Sequence, residues 1–236
     1  MNTMRVLGVG AHPDDLEILC GGTLAKYARQ GHDVFMCHVC RGDKGHFEIP
    51  PDELARIRDE EARRAAAIIN ARTFGPFADD LDLFVTREMI LRLVEVIRET
   101  KPDIIITHSP DDYMPDHIAA SHIVFSASFT ATLPHFRTRS EAHTKVTPIY
   151  HTDVLAGVGP APTEYVDITD TFDVKRQMLS EHKSQITWLK SHDNVDVLEY
   201  IETIAKFRGL QCGVKYAEGF RQVRTWGRII PNRLLP

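Results

Sequence analysis

The sequence predicts an α/β fold, Rossmann-like, with a mostly parallel sheet and helices on both faces. Three observations lead there. Apolar runs of strand length alternate with amphipathic stretches of helical period through the first 130 residues. Helix stops, Gly31 and Pro102, fall between those stretches. Polar, chemistry-bearing residues directly follow two of the apolar runs, at the carboxyl edge where open α/β sheets bind ligands.

Taken in order, residues 4–11 read as a buried strand and residues 16–30 as a helix that ends at Gly31. Residues 34–40 form a second strand and residues 52–70 a highly charged amphipathic helix. Residues 86–100 place Met89, Ile90, Leu93, Val94 and Ile97 on one helical face before Pro102 stops it. Residues 103–108 give a short apolar strand, and residues 116–130 a helix that follows a polar loop. Beyond Thr147 the pattern loosens: an extended segment at 149–155, a Gly/Pro loop at 157–162, a strand at 165–168, and helices at 173–184 and 195–208. The last 25 or so residues read as irregular. No repeat or linker divides the chain, so residues 1–236 are expected to form one domain.

Composition excludes several classes. With 43% hydrophobic and 26% charged residues, 14 Gly and 13 Pro, collagenous, coiled-coil and disordered readings fail. A net charge of -5 without a basic run argues against a nucleic-acid partner. No apolar run approaches the roughly 20 residues that cross a bilayer, so no membrane partner is expected. Residues 1–5 lead into a strand without a secretory pattern, which points to the cytoplasm. Four cysteines are too few for a disulfide framework. Cys37-His38-Val39-Cys40 lies within a strand and has no second pair at zinc-finger spacing, so it reads as two small core residues.

The chemistry gathers in two segments. His12-Pro13-Asp14-Asp15-Leu16-Glu17 follows the first strand, and Asp111-Asp112-Tyr113-Met114-Pro115-Asp116-His117 follows the strand at 103–108. If those strands are neighbours at the topological switch point, His12, Asp15 and His117 face one another across the crevice. Two imidazoles and a carboxylate suit Zn²⁺ and leave room for a water, whose pKa such an ion lowers to roughly 7. Asp14, beside the ligand, is the candidate to take the water's proton. The alternative is a helix cap, with Asp14 or Asp15 holding backbone N–H groups. A dinucleotide-binding module, hinted at by Gly8-x-Gly10, fails: the third glycine is missing and two carboxylates stand where a pyrophosphate would sit.

Ala11-His12-Pro13-Asp14-Asp15-Leu16-Glu17 with Gly21-Gly22-Thr23 resembles the signature of the LmbE-like, or PIG-L, zinc-dependent N-acetyl-sugar deacetylases, and Pro115-Asp116-His117 resembles their second metal motif. Arg58 and Glu61, Asp80, Ser184-Gln185 and residues 216–220 match further segments. The resemblance implies a metal, Zn²⁺ or another divalent ion, held by His12, Asp15 and His117. It also implies Asp14 as general base, acetate release from a small glucosamine-type substrate, and a homo-oligomer. It places Arg41, Arg58 and Asp80 on the substrate side. The chain departs from the family at Met114, where relatives carry a histidine thought to steady the oxyanion or protonate the leaving group; a thioether does neither. Asp14 is the first replacement, with His108 and Tyr113 as stand-ins. Other readings are an amidase for another acylated amine or a thiol-sugar conjugate, and a catalytically silent metal-binding protein. Trp188 and Trp226 stand alone in the sequence and mark no sugar-stacking platform.

Overall fold

The computed structural model describes residues 3–236. Its seven-stranded sheet has the order β3-β2-β1-β4-β5-β7-β6. The strands are β1 (Arg5–Gly10), β2 (Asp33–His38), β3 (Arg72–Phe74), β4 (Ile104–Thr107), β5 (Ile149–Thr152), β6 (Glu164–Asp167) and β7 (Ala217–Gln222). Strands β1 to β5 pair in parallel, whereas β7 runs antiparallel between β5 and β6. The helices are α1 (Asp15–Arg29), α2 (Pro51–Ile68), α3 (Arg87–Thr100), α4 (Pro115–Thr130), α5 (Phe172–Ser180), α6 (Lys183–His192) and α7 (Val197–Cys212). The predicted fold class is the observed one.

Alternation along the strands separates two cores. Val6, Met36, Ile104 and Ile106 face α1, α2, α5 and α7. Leu7, Val9, Phe35 and Ile105 face α3 and α4. Because β1 sends its chain to one face and β4 sends its chain to the other, a crevice opens between them at their carboxyl ends, as the topological-switch argument requires. Cys37 and Cys40 are buried free thiols, in keeping with the core reading, and burial pushes Cys37 up to about 12. Among the described residues no helix is long and apolar enough to cross a membrane.

The structure departs from the sequence pattern in the last third. The predicted helix at 173–184 stops at Ser180, and a further helix, α6, follows. The break brings His182 to Glu17, 3.1 Å apart, while the Glu61 carboxylate accepts the Ser184 N–H and hydroxyl at the start of α6. Three-residue β3 was too short to show a period. Within the terminal stretch expected to be irregular lies β7, whose Glu218 and Gly219 hide its strand character.

Glu218 explains the Gly21-Gly22-Thr23 segment. Helix α1 kinks at Cys20, where φ is -146°, which frees backbone donors one turn on. The Glu218 carboxylate accepts the Gly22 and Thr23 N–H groups at 3.0 and 2.8 Å and the Thr23 hydroxyl at 2.6 Å. Lys175 of α5 neutralises it at 2.5 Å, and both side chains are buried. This clamp joins α1, α5 and β7. Removing one partner leaves an uncompensated buried charge, so Lys175→Met should lower stability by about 3–5 kcal/mol in chemical unfolding, and Glu218→Gln in the same chain should recover much of it. A single-variant loss below about 1 kcal/mol would show that the clamp does not hold these elements.

Candidate metal centre and its cleft

The turn after β1 is compact for a local reason. A Cβ on Gly10 would lie 3.1 Å from that of Asp15, so glycine lets α1 begin hard against the strand. Asp15 Oδ2 accepts the His12 N–H at 2.6 Å and folds the turn on itself. The β4 end is tied to the same place: the Thr107 hydroxyl donates to the Val9 carbonyl at 2.9 Å, and the Ala11 N–H donates to His108 Nε2 at 2.9 Å. Pro115 at the start of α4 then carries Asp116 and His117 into the crevice.

One donor atom each from His12, Asp15 and His117 falls within a 4.8 Å group. Each imidazole has one nitrogen on an outer carboxylate: His12 Nε2 lies 3.0 Å from Asp116 Oδ2, and His117 Nδ1 lies 3.0 Å from Asp112 Oδ2. The other nitrogens turn to Asp15, His12 Nδ1 at 3.5 Å and His117 Nε2 at 3.3 Å. His117 Nε2 is buried and makes no hydrogen bond. Outer carboxylates that fix the tautomer and aim the inner nitrogen are the usual support of metal-ligating histidines.

Electrostatics agree with a cation site. Burial opposes charge on both rings, yet Asp116 and Asp15 outweigh it and hold His12 well above its ordinary value. Asp15 and Asp112 likewise push His117 up to about 9. Asp15 stays well below the usual carboxylate range despite burial, because His117 and His108 face it. The cluster is short of positive charge, and two nitrogens with a carboxylate fit Zn²⁺ or a similar ion. His12, Cys40 and Asp116 form another group of suitable spacing, as do His108, Asp112 and His117. Burial raises the Cys40 thiol above its ordinary value, however, and Asp112 and Asp116 are engaged by the outer nitrogens.

Asp14 caps nothing. Its side chain makes no capping bond, it is 3% exposed, and its backbone is left-handed at φ 110°, a conformation that costs a non-glycine residue about 1–3 kcal/mol. Burial and the adjacent Asp15 carboxylate push Asp14 up to about 7, against the pull of His182, Arg58 and His12. Glu17, one turn on and fully buried, instead remains ionised below its usual range because His182 and His38 face it at 3.1 and 3.8 Å.

These groups open into a cleft of about 590 Å³ whose walls include Arg58 and Asp80. Arg58 Nη2 donates to the Gly45 carbonyl at 2.8 Å, while its Nε is buried without a partner. Asp80 accepts the Gly42 N–H at 2.8 Å. Two of the expected site residues lie outside this lining. Arg41 is not among the cleft residues; its guanidinium is spent on Asp52 and Asp79 at 2.5 and 3.2 Å, and its loop lends Lys44 and Gly45 to the wall instead. His108 is 2% exposed and sits behind Asp15, stacked on His117 at 3.8 Å, where it touches no cleft space. Asp112 was named in the sequence only as part of the second segment and given no role, although its place five residues before His117 in an acid-rich loop was a usable signal. A groove of about 780 Å³ at the opposite edge of the sheet, by Arg5, His32 and Arg72, contains none of this cluster.

Residues 7–128 match the family model described as PIG-L, GlcNAc-PI de-N-acetylase. The chain is 33% identical over 244 residues to a diacetylchitobiose deacetylase of Thermococcus kodakarensis, covering 93% of this chain and 83% of that one. It is 26% identical over 245 residues to a 4-oxalmesaconate hydratase of Pseudomonas putida, covering 94% and 91%. Among solved structures, the N,N'-diacetylchitobiose deacetylase of Pyrococcus horikoshii in complex with an inhibitor superimposes with a TM-score of 0.81 at 26% identity, over 94% of this chain and 84% of that one. With more than half of its length inside the family model and a relative above 30% identity across nearly all of it, the chain belongs to the PIG-L family.

Proposed function

We propose that the protein is a divalent-cation-dependent hydrolase that removes the acetyl group from an N-acetylated, glucosamine-type sugar or sugar conjugate. The observation that carries this reading is geometric: His12, Asp15 and His117 bring one donor atom each into a 4.8 Å group, with Asp14 beside them on the cleft wall. Asp15 is held ionised between imidazoles, and Asp14 is raised to about 7 at the cleft wall.

His12, Asp15 and His117 would hold the ion, Zn²⁺ or another divalent metal, with Asp116 and Asp112 behind the rings. When bound, such an ion polarises the amide carbonyl and makes water a better nucleophile near neutral pH. Asp14 takes the proton of the attacking water on a carboxylate oxygen and keeps it there, since a carboxyl near 7 stores a proton at little cost. The departing amine nitrogen needs a proton. Met114 offers none, so Asp14 returns the one it holds. Arg58 and Asp80 line the cleft, a guanidinium and a carboxylate suited to sugar hydroxyls. His108 acts through Asp15, as a positioning residue.

A second reading has one observation in its favour: a hydratase matches as much of the chain as the deacetylase does, so water could instead be added to a conjugated unsaturated acid. Acetate release from N-acetylglucosamine, N,N'-diacetylchitobiose and inositol-linked N-acetylglucosamine, against hydration of 4-oxalmesaconate, distinguishes the two. Asp14→Asn should lower turnover about 10²–10⁴-fold with the metal content per chain unchanged by elemental analysis. Full turnover in that variant would remove Asp14 from the mechanism. Arg58→Ala should raise KM about 10–100-fold by removing a charged hydrogen bond, while Arg41→Ala leaves KM within about twofold. The reverse order in steady-state kinetics would restore Arg41 to the substrate side.

A further inference from the structure

Two loops that are distant in sequence meet at the cleft wall. The one after β2 lends Lys44 and Gly45, and the one after β3 lends Asp80 and Leu81. A reciprocal pair of aspartates joins them. The Asp43 carboxylate accepts the Asp80 N–H at 2.9 Å, and the Asp80 carboxylate accepts in return the Gly42 N–H at 2.8 Å and the Lys44 N–H at 3.4 Å. The Arg41 N–H closes the same seam by donating to the Ala78 carbonyl at 3.0 Å. Asp43 is buried, and the Lys44 ammonium pairs with it. Joining two surface loops does not by itself call for a buried carboxylate, since a neutral acceptor bonds an N–H without the cost of burying charge.

The residue that follows Asp80 gives the pair a use. Leu81 has a left-handed backbone at φ 63°, which strains a residue with a side chain and persists only where its surroundings impose it. Its side chain is 69% exposed, so packing does not impose it; the bonds on either side do. Behind it, Asp43 holds the Asp80 N–H. Ahead, the Leu81 N–H donates to Asp116 Oδ2 at 2.7 Å, the same oxygen that lies 3.0 Å from His12 Nε2. A continuous path therefore runs from Asp43 along the Asp80–Leu81 backbone to Asp116 and on to His12.

We infer that Asp43 is a positioning residue for the metal: by fixing the Asp80–Leu81 turn it aims the Asp116 carboxylate at His12, and so raises the affinity of His12 for the cation. A carboxylate behind a metal-ligating imidazole sets the ring's orientation and basicity, and it does so only while its own direction is fixed. The Leu81 N–H fixes it here, on the oxygen that His12 uses. The inference rests on the metal-binding part of the reading above. Because the same two aspartates hold Gly42 and Lys44, the loop that forms the wall and the support of His12 are one connected unit.

The test is the zinc affinity of the folded, full-length protein, read by competition with a chromophoric chelator. Asp43→Ala should raise the zinc Kd about 10–100-fold, the loss expected when the support of a metal-ligating histidine is removed. Asp43→Asn keeps an oxygen for the Asp80 N–H and should stay within about threefold of the unaltered protein, a rescue that a general loss of stability would not give. Leu81→Pro removes the N–H itself at an exposed loop tip and should weaken zinc at least as much, which keeps the test decisive if Asp43→Ala does not fold. A Kd unchanged in Asp43→Ala or in Leu81→Pro would overturn the inference, as would an equal loss in Asp43→Asn and Asp43→Ala. Unchanged variants of a protein that binds one zinc reject the inference alone; if the unaltered protein takes up no zinc, the metal reading falls and the inference with it.

Discussion

Asp15 is the contact on which the rest of the arrangement depends. A carboxylate this deeply buried must be compensated, and its partners come from both sides of the crevice: the His12 N–H from the β1 turn, His108 from the β4 end, and His117 from α4. These partners meet only if β1 and β4 lie side by side in parallel with their chains leaving to opposite faces. The constraint reaches outward from there. It favours a glycine at position 10, where α1 starts hard against the strand, and it places His108 behind Asp15, stacked on His117.

Several carboxylates are buried in the cleft and behind it, and what distinguishes them is their partners. Asp15 and Glu17 each face two imidazoles and stay ionised, and Asp112 and Asp116 each hold one imidazole nitrogen. Glu218 is matched by Lys175 and three donors on α1. Asp14 alone in this group has no hydrogen-bonded cation and sits beside another carboxylate, so burial and repulsion raise it to about 7. The split between adjacent aspartates therefore follows from the chain geometry: both line the cleft, but Asp15 is held among imidazoles, whereas Asp14, on a left-handed backbone, is not.

How far the sequence was legible follows the range of the interactions. The parallel half was readable because each strand and helix carries its own period, and His12, Asp14, Asp15 and His117 were readable because each follows directly on a strand or opens a helix. What escaped depended on distant partners. β7 looks irregular until Lys175 and α1 explain its buried Glu218, and the break before α6 has no local breaker, only the pull of Glu17 on His182 and of Glu61 on Ser184. Arg41 looked like a substrate residue by its place in a polar loop, and only the positions of Asp52 and Asp79 show that its charge is already used. Trp188 stacks on His192 one turn on in α6, but gains Phe47 only through tertiary packing against a loop more than a hundred residues earlier.

The central claim is that the cluster around Asp15 binds one divalent cation and that amide hydrolysis depends on it. The most direct measurement strips the protein with a chelator and restores Zn²⁺ stepwise while acetate release from an N-acetylglucosamine conjugate is followed. The account predicts no release from the stripped protein and a linear recovery that ends at one equivalent per chain. Acetate release that persists without metal, or tight uptake of one equivalent with no acetate from any N-acetylated sugar, would contradict it.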